Sequence, residues 1–415
     1  MTQPRIELLP LHPATRTDAP TTLDVLVRVT PPPVEPSAAR PPLNLGLVID
    51  RSGSMGGANK IGYARDAAAF AVRELAPTDR VSVTTFDDRV ETIAPSAPAE
   101  DRARVVRLIA GIEPRGGTAL FDGWAEGAKQ VGGNPIPGGL NRVVLLSDGL
   151  ANVGESRPDA IATAVHAGRA AGVGTTTLGV GDEYNEDLLE AMARAGDGNY
   201  YYVESAAQLP AIFAAELHGL SATAGTDVTL AVEPWEGVAV ADVLNDLDTT
   251  ADGRFKLPNL VSGFPVTVVV RLTVPPTRGE GRVCAVRLEW AAPGGERAHA
   301  VAALSLRGVD AAAWDSLAPD PEVQEQVVLL AVARLKKKAS AELDRGNGPD
   351  ARRLLAEARI LLASVPQTPE VGAEIQAVAE LDAQVERGDY RGSSKRAKYD
   401  AYNRHHSKPY TPRSE

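Results

Sequence analysis

The residues with the clearest chemical potential lie in one short segment, where an acid is followed by two hydroxyls at alternate positions. Asp50, Ser52 and Ser54 place three oxygen donors within five residues. Donor sets made only of oxygen suit Mg²⁺, Mn²⁺ or Ca²⁺ rather than Zn²⁺ or Cu²⁺. Because one such loop cannot fill a shell of about six ligands, the segment predicts a cation site that needs further ligands from elsewhere in the chain.

Two later segments offer those further ligands. Thr118 follows two glycines and precedes a helical pattern, and Asp148 follows the aliphatic run 142–147. Taken singly, these residues also fit ordinary roles, since Asp, Ser and Thr are common in turns and at helix N-termini. The aliphatic runs before Asp50 and Asp148, however, indicate buried strands that end at a charge. Ligands bind at such strand ends in open α/β sheets, so we favour one shared site.

Together, Asp50-x-Ser52-x-Ser54, Thr118 and Asp148 resemble the metal-ion-dependent adhesion site of a von Willebrand factor type A domain. The ligand types occur in the order and in the strand-end or loop contexts that this family shows. The resemblance implies that the two serines and the threonine ligate the ion directly, whereas one or both acids act through water. It also implies Mg²⁺ as the cofactor, with Mn²⁺ or Ca²⁺ as alternatives.

The elements that must position these residues alternate between strands and helices from residue 44 to residue 220. This alternation predicts a doubly wound, mostly parallel α/β sheet of Rossmann-like type, the fold that the resemblance also implies. The turn Gly-Val-Gly-Asp-Glu-Tyr at 179–184 is typical of bacterial members of the family. The predicted strands are 44–49, 80–86, 141–147, 175–180 and 199–203. The predicted helices are 61–75, 100–112, 119–131, 158–171, 188–195 and 206–220.

The segments on either side of this α/β region have the two-residue alternation of half-buried strands. It occurs at 22–29 and again at four places between residues 228 and 306, which predicts an antiparallel β-sandwich of roughly seven strands at 221–308. The N-terminal segment 1–43 holds the first strands and a proline-rich linker. Because the strand at Leu23–Val29 has no partner before residue 44, we expect it to pair with the later sheet. The α/β domain would then be inserted in the β-domain; a simple succession of domains is the alternative.

The remainder of the chain is predicted to be helical and then basic. Residues 309–387 contain three apolar stripes at helical spacing, which predict a helical hairpin or bundle. The segment 388–415 is rich in Lys, Arg and Tyr. We interpret it as a flexible, solvated tail or as an extended arm on an acidic neighbouring domain. Contact with single-stranded nucleic acid by charge and stacking is the alternative.

The composition of the chain and the absence of certain sequence patterns limit the kinds of protein that it can be. The formal net charge of −11 argues against nonspecific nucleic-acid binding by the whole chain. A single cysteine, Cys284, excludes an intrachain disulfide and fits a reducing compartment. The N-terminus lacks the pattern of a signal peptide, and no run of about 18 apolar residues is present. We therefore expect a cytoplasmic location and no membrane contact.

Other kinds of active site are not supported by the sequence. Residues 53–60 contain the glycines and the lysine of a phosphate-binding loop, but not in the required order. No histidine lies close in sequence to Ser52 or Ser54 to serve as a base. The paired acids Asp87 and Asp88 are interpreted as part of a solvated hairpin after a strand. No catalytic residue and no organic cofactor are therefore assigned.

The charges of the candidate ligands indicate a function. Since most of the ligands are neutral hydroxyls, a bound ion keeps much of its positive charge and an open position. An Asp or Glu side chain of a partner protein can fill that position. We therefore expect a divalent-metal-dependent protein-interaction module, acting as an intracellular adaptor or assembly factor. An ATPase-linked complex is a candidate partner, since the resemblance to bacterial type A proteins implies such a role. The alternative is a metal-dependent enzyme acting on phosphate or peptide substrates.

Overall fold

The computed structural model describes residues 3–33 and 41–408. These residues form two compact units: the first holds 3–33, 224–292 and 296–408, and the second holds 41–223 and 293–295. The first unit is therefore assembled from chain segments on both sides of the second unit in sequence. Most of the predicted proline-rich linker (34–40) and the end of the predicted basic tail (409–415) lie outside the described residues.

The elements are named in chain order. The strands are β1 Arg5–Pro10, β2 Ala14–Arg16, β3 Thr21–Thr30, β4 Leu43–Asp50, β5 Arg80–Phe86, β6 Val90–Pro98, β7 Leu140–Ser147, β8 Val173–Val180, β9 Tyr200–Val203, β10 Thr223–Pro234, β11 Ala239–Val243, β12 Phe255–Lys256, β13 Leu260–Val261, β14 Val266–Val274, β15 Glu280–Ala291 and β16 Arg297–Val309. The α-helices are α1 Lys60–Glu74, α2 Arg102–Ala110, α3 Leu120–Gly132, α4 Pro158–Ala170, α5 Glu186–Ala195, α6 Leu209–Ser221, α7 Ala311–Asp315, α8 Pro321–Asp344, α9 Gly348–Ala363, α10 Pro369–Glu386 and α11 Tyr390–His405. Short 3₁₀ segments occupy Gly53–Asn59 and Ala206–Gln208.

The second unit is built on a six-stranded sheet with the order β6-β5-β4-β7-β8-β9. Neighbouring strands are parallel except for β5 and β6, which form an antiparallel hairpin. Every residue of β4 is buried, as expected for a strand that is covered on both faces. The prediction of an α/β fold with a mostly parallel sheet is confirmed.

Two helices that cover β4 pack through small residues. The alanine-rich face of α1 is buried in the same apolar cluster as Leu45 and Leu47 of β4. Helix α3 packs against β4, β5 and β7. A Cβ at Gly127 of α3 would collide with the side chain of Val48, so glycine permits this close approach. The approach holds the start of α3, and with it the segment that carries Thr118, near the strand ends.

Strand β6 is absent from the sequence-based prediction. It contains Pro95 and Pro98, and proline disfavours strands because it lacks the N–H that a neighbouring strand would accept. Proline is tolerated at the edge of a sheet, and β6 is an edge strand. The predicted helix and strand positions in the rest of this unit agree with the structure within a few residues at each end.

The first unit contains two further sheets. One has the order β1-β3-β14-β11, with all pairs antiparallel. The other has the order β12-β10-β15-β16-β2, in which β13 also pairs with β10 and β2 runs parallel to β16. Strand β3 pairs with β14 so that Leu23 faces Leu272, which is the pairing expected for the N-terminal strand. Buried residues from both sheets belong to one apolar cluster.

The C-terminal helical region is confirmed. Helices α8, α9 and α10 share one apolar cluster. Their starts are encoded locally, because Asp320, Asn347 and Thr368 accept hydrogen bonds from backbone N–H groups of the first turn, and a proline occupies an early helical position in each. Over the described ranges, no helix combines the length and the apolar character needed to cross a membrane.

The interpretation of 388–415 as a flexible, solvated tail or an extended arm is wrong for residues 390–405, which form the helix α11. This helix packs mainly against α8. Its basic side chains pair with acids: Lys398 lies 3.0 Å from Asp344, and Arg396 lies 3.2 Å from Asp400. These two basic groups are therefore engaged in ion pairs within the unit.

Candidate metal centre

The candidate site lies at the carboxyl edge of the parallel sheet, where neighbouring strands end together. Asp50 is the last residue of β4, and Asp148 directly follows the last residue of β7, Ser147. Since β4 and β7 are hydrogen-bonded neighbours, the two acids are brought to adjacent positions. The hydroxyl of Ser147 donates a hydrogen bond to Oδ2 of Asp50 at 2.5 Å. The two acids therefore lie at neighbouring strand ends, as the sequence predicts.

A continuous series of polar contacts joins four of the predicted ligands. The backbone N–H of Ser52 donates to Oδ1 of Asp50 at 2.7 Å. The hydroxyl oxygens of Ser52 and Ser54 lie 3.0 Å apart, and the hydroxyl of Ser54 donates to Oδ1 of Asp148 at 2.7 Å. Residues separated by about 100 positions in sequence are thus linked through two serine hydroxyls.

The fifth predicted ligand, Thr118, lies just before α3 and contacts the loop that follows β7. A Cβ added to Gly149 would lie 3.3 Å from Oγ1 of Thr118 and 3.5 Å from Oγ of Ser54. Both hydroxyls therefore approach the backbone that follows Asp148. The position of Thr118 is fixed by Asn152, whose side-chain oxygen accepts its backbone N–H at 2.8 Å. We call Asp50, Ser52, Ser54, Thr118 and Asp148 the oxygen cluster.

The oxygen cluster is closed on one side and open on the other. Asp50 and Asp148 have no solvent exposure, and Ser52 and Thr118 are also buried. Ser54, in contrast, is exposed. The acids are therefore held inside the unit, while Ser54 is accessible to solvent.

Burial changes the acidity of Asp50. It raises the pKa of this carboxyl from its usual range to about 6, and the nearby charge of Asp148 acts in the same direction. Hydrogen bonds from Ser147 and Ser52 oppose the rise because they stabilise the ionised form. An acid in this environment is stabilised by a cation placed next to it.

One cation of the protein already lies beside the cluster. The Nζ of Lys60, the first residue of α1, is 2.5 Å from Oδ2 of Asp148. Lys60 is the lysine of the segment 53–60, which partly resembles a phosphate-binding loop. In the structure its partner is the carboxylate of Asp148. Lys60 therefore neutralises the charge of Asp148.

The donor set fits a divalent cation. All five side chains offer oxygen, which suits Mg²⁺, Mn²⁺ or Ca²⁺. Adjacent ligands of an octahedral Mg²⁺ ion, each about 2.1 Å from the metal, are about 3.0 Å apart, and the hydroxyls of Ser52 and Ser54 have this separation. Within the described parts of the chain, no group of three or more His, Cys, Asp or Glu side chains could hold a metal. The hydroxyls are therefore needed to complete any such site.

Sequence reasoning was wrong about Asp87. The structure places Asp87 and Asp88 in the turn between β5 and β6, but Asp87 is fully buried rather than solvated. Its carboxylate accepts hydrogen bonds from Arg51 and Arg115. Asp87 directly follows a parallel strand, as Asp148 does, so the strand-end rule could have identified it.

Comparison with known proteins agrees with the fold and position of this unit. Residues 44–215 match the family model of the von Willebrand factor type A domain. The chain is 29% identical over 194 residues to protein YfbK of Escherichia coli K12, covering 46% of this chain and 34% of YfbK. It is 30% identical over 165 residues to human inter-alpha-trypsin inhibitor heavy chain H4, covering 38% of this chain and 18% of that protein. The chain thus spans about a third or less of the length of these two relatives.

Two solved structures resemble the chain over almost its full length. A von Willebrand factor type A protein from Catenulispora acidiphila superposes with a TM-score of 0.73 at 15% identity, covering 96% of each chain. The ArnB paralog VWA2 from Sulfolobus acidocaldarius superposes with a TM-score of 0.63 at 19% identity, covering 96% of this chain and 98% of that one. At these identities the likeness shows the fold alone.

The segment that matches the family model contains the whole six-stranded sheet and every residue of the oxygen cluster. The fold of this segment, its bacterial relatives and the solved structures that resemble it are all consistent with a type A domain. The chain therefore contains a von Willebrand factor type A domain, which occupies residues 44–215.

Proposed function

We propose that this domain binds a divalent cation at the oxygen cluster and uses it to capture an Asp or Glu side chain of a protein partner. Domains of this family are protein-interaction modules. The observation that carries the proposal is the convergence of five oxygen-bearing side chains from three loops at one edge of the sheet. Mg²⁺ is the proposed cofactor, and Mn²⁺ or Ca²⁺ would suit the same donors.

The neutral and the charged residues of the cluster would have different roles in binding the ion. Ser52, Ser54 and Thr118 offer neutral hydroxyl oxygens, and the two buried acids supply negative charge. When bound, the ion supplies a positive charge with an open position for the carboxylate of a partner. Hydrogen bonds from the chain hold Asp50 and Asp148 in place, so these acids need little rearrangement to face a cation.

The net charge of the site favours an acidic ligand. Asp50 and Asp148 contribute two negative charges when ionised, and Lys60 contributes one positive charge. A divalent ion added to this set leaves a net positive charge of about one, which a single carboxylate neutralises. Leu150, two residues after Asp148, is an exposed large apolar side chain. It offers a nonpolar contact for the residue next to the captured acid.

Metal binding can be tested directly with Mn²⁺, which is paramagnetic. We expect electron paramagnetic resonance to detect one tightly bound Mn²⁺ per chain, displaced by Mg²⁺. The double variant Asp50→Ala, Ser52→Ala should lose this binding. Asp66→Ala, which removes an exposed acid of α1, is the matched control and should retain it. Absence of bound Mn²⁺ in the wild-type protein would contradict the proposal.

Capture of an acid needs a second measurement on the same sample. Acetate should displace water from the bound Mn²⁺ and lower the water-proton relaxation rate, whereas acetamide, which has no charge, should not. An ion that is insensitive to acetate would have a filled shell and a purely structural role. Turnover of a phosphate ester or a peptide by the metal-loaded protein would instead favour the alternative of a metal-dependent enzyme.

We also propose that the protein is an adaptor or assembly factor inside the cell, with an ATPase-linked complex as a candidate partner. The single cysteine of the chain supports a reducing compartment. Affinity capture from the host, performed in parallel with Mg²⁺ and with a chelator, tests this proposal. Partners of interest are those that are retained only with Mg²⁺ and are lost with the Asp50→Ala, Ser52→Ala variant.

A further inference from the structure

Asp87 lies outside the oxygen cluster, but its contacts are those of an organising residue. Its side chain has no solvent exposure. Oδ2 accepts hydrogen bonds from Nε of Arg51 at 2.8 Å and from Nε of Arg115 at 2.7 Å. Oδ1 accepts the backbone N–H of Arg89 at 2.8 Å. The carboxylate is therefore bound by three donors from three places in the chain.

The two arginines belong to the loops that carry the oxygen cluster. Arg51 stands between Asp50 and Ser52, and Arg115 lies three residues before Thr118. Because both guanidinium groups bond to one oxygen of Asp87, the two loops are joined through a single buried charge. A change in the position of this oxygen would move both loops.

Backbone hydrogen bonds reinforce the same connection. The N–H of Arg115 donates to the carbonyl oxygen of Arg51 at 2.6 Å. The carbonyl oxygen of Asp87 accepts the N–H of Ala119, the residue that follows Thr118, at 2.7 Å. The main chain of Asp87 thus fixes the segment on the far side of Thr118, while its side chain fixes the near side.

The loop between Arg115 and Thr118 passes close to the acid. Gly116 has a φ of +70°, a conformation that other residues rarely adopt. A Cβ at this position would lie 3.1 Å from the Cβ of Asp87 and would collide with Oδ1 of Asp88. Glycine therefore allows the approach that the ion pair between Arg115 and Asp87 requires.

We propose that Asp87 is a positioning residue of the metal centre, which holds the loop of Ser52 and the loop of Thr118 in one fixed arrangement. This inference rests on the proposed function. It extends that function to a residue that touches neither the ion nor the partner. Residues that orient metal ligands from behind commonly change metal affinity by about 10- to 100-fold when they are replaced.

The charge of Asp87 is essential to this role. Burial alone would raise the pKa of Asp87, but the hydrogen bonds from Arg115, Arg89 and Arg51 hold it at about 2. The carboxylate is therefore ionised at every pH at which the protein would work. Without it, the buried guanidinium of Arg51 would depend on the exposed acid Glu91, 3.0 Å away, as a counter-charge.

The test compares two neighbouring acids in the full-length protein. Asp87→Asn keeps the shape of the side chain and removes its charge, and Asp88→Asn makes the same change at the exposed acid next to it. With Mn²⁺ as the probe and Mg²⁺ as the competitor, we expect Asp87→Asn to weaken Mn²⁺ binding by 10- to 100-fold. Asp88→Asn should stay within about twofold of the wild-type protein. The melting temperature in EDTA is measured on the same samples.

The outcomes separate this inference from the proposed function. If the wild-type protein binds no Mn²⁺, both are overturned. If the wild-type protein and Asp87→Asn bind Mn²⁺ equally well, only the positioning role is overturned, even where Asp87→Asn melts at a lower temperature. Should Asp87→Asn fail to fold, Arg115→Ala decides, because Arg115 is 59% exposed and tolerates truncation better. Weaker Mn²⁺ binding by Arg115→Ala supports the inference, and unchanged binding overturns it.

Discussion

The Nζ of Lys60 lies 2.5 Å from Oδ2 of Asp148, so the protein holds a cation of its own beside the oxygen cluster. Asp148 has no solvent exposure, and its other carboxylate oxygen accepts the hydroxyl of Ser54. The ion pair compensates the buried acid when no metal is bound. The same ammonium repels a metal ion, since like charges a few ångströms apart at a protein surface interact by a few kcal/mol.

We therefore expect Lys60→Met to bind Mg²⁺ about tenfold more tightly than the wild-type protein, a change of ~1.4 kcal/mol. In EDTA the same variant should be less stable, because Asp148 loses its counter-charge. Isothermal titration calorimetry and urea unfolding measure the two effects. Lys129→Met, which removes an exposed lysine of α3, is the control and should change neither. Weaker Mg²⁺ binding by Lys60→Met would show that Lys60 supports the metal site.

The second prediction concerns the cost of keeping Asp50 charged. Its pKa in the folded protein is raised to about 6 by burial, above the usual value for aspartate. The folded state therefore holds a proton that the unfolded state releases, and stability decreases as pH rises from about 4 to about 6. Asp50→Asn should be more stable than the wild-type protein in EDTA at pH 7.5, by ~1–3 kcal/mol.

This gain should shrink as the pH approaches 4, because Asp50 of the folded wild-type protein is then neutral too. Urea unfolding in EDTA at pH 4.5 and pH 7.5 provides the comparison. Asp66→Asn, at an exposed acid of α1, should show no such pH-dependent gain. An Asp50→Asn variant that is less stable than the wild-type protein at pH 7.5 would show that the hydrogen bonds of Asp50 outweigh its burial.

The third prediction uses the close packing around Gly149. A Cβ here would lie 3.3 Å from Oγ1 of Thr118, which would have to shift by a few tenths of an ångström, and it would make an ordinary contact of 3.5 Å with Oγ of Ser54. Gly149→Ala should therefore weaken Mn²⁺ binding by about tenfold or more. Its stability in EDTA should change by less than about 1 kcal/mol.

Gly219 of α6 is the matched control for this substitution. Apart from its chain neighbours and the nearby backbone of its own helix, no heavy atom of the described residues lies within 4 Å of a Cβ built there, so Gly219→Ala should leave Mn²⁺ binding unchanged. Replacing glycine inside a helix should also stabilise the protein by about 0.5–1 kcal/mol. Equal metal affinity for the Gly149→Ala and Gly219→Ala variants would show that the position of Thr118 is not constrained by this contact.

The fourth prediction concerns the buried charges that hold α11. The ammonium of Lys336 lies 2.5 Å from Glu374 and 3.0 Å from Asp400, and its side chain is only 1% exposed. Burial alone would lower the pKa of Lys336, but the two acids raise it, so the group is charged. Lys336→Met leaves two buried acids without this partner and should reduce stability by about 3 kcal/mol.

The adjacent residue provides the control for this experiment. Lys337 is 57% exposed and lies 3.6 Å from Asp246, so Lys337→Met should change stability by less than about 0.5 kcal/mol. Urea unfolding followed by circular dichroism compares the two variants. If Lys336→Met is as stable as Lys337→Met, the ion pairs of Lys336 add nothing beyond what an apolar side chain supplies.

The oxygen cluster could be proposed from sequence because its positions follow from local rules. Asp50 and Asp148 each end an aliphatic run, and parallel strands that are neighbours bring such ends together. The positions of Lys60 and Asp87 were visible in the sequence, but their roles were not, because each role depends on a partner far away in sequence. Asp148 is 88 positions from Lys60, and Arg51 is 36 positions from Asp87.

Helix α11 was missed for a different reason. The buried positions of this helix hold small and polar residues, including Ser393, Ser394, Lys395 and Ala397, rather than an apolar stripe. A helix of this composition has no hydrophobic periodicity to detect. Its burial depends on acids in α8 and α10, such as Asp344 and Glu374, whose pairing with α11 is visible only in three dimensions.

The pairing of β3 with β14 determines the order in which the chain can fold during synthesis. Leu23 and Leu272 face each other across this pair, and 249 positions (272 − 23) separate them. At about 5–20 residues per second, β3 waits roughly 12–50 seconds for its partner to leave the ribosome. The type A domain is contiguous in sequence, so its synthesis is finished before β14 is made. The nascent β3 is an apolar strand that can pair with β1 along one edge, while the edge that β14 later covers stays unpaired, so it is a natural substrate for chaperones during that interval.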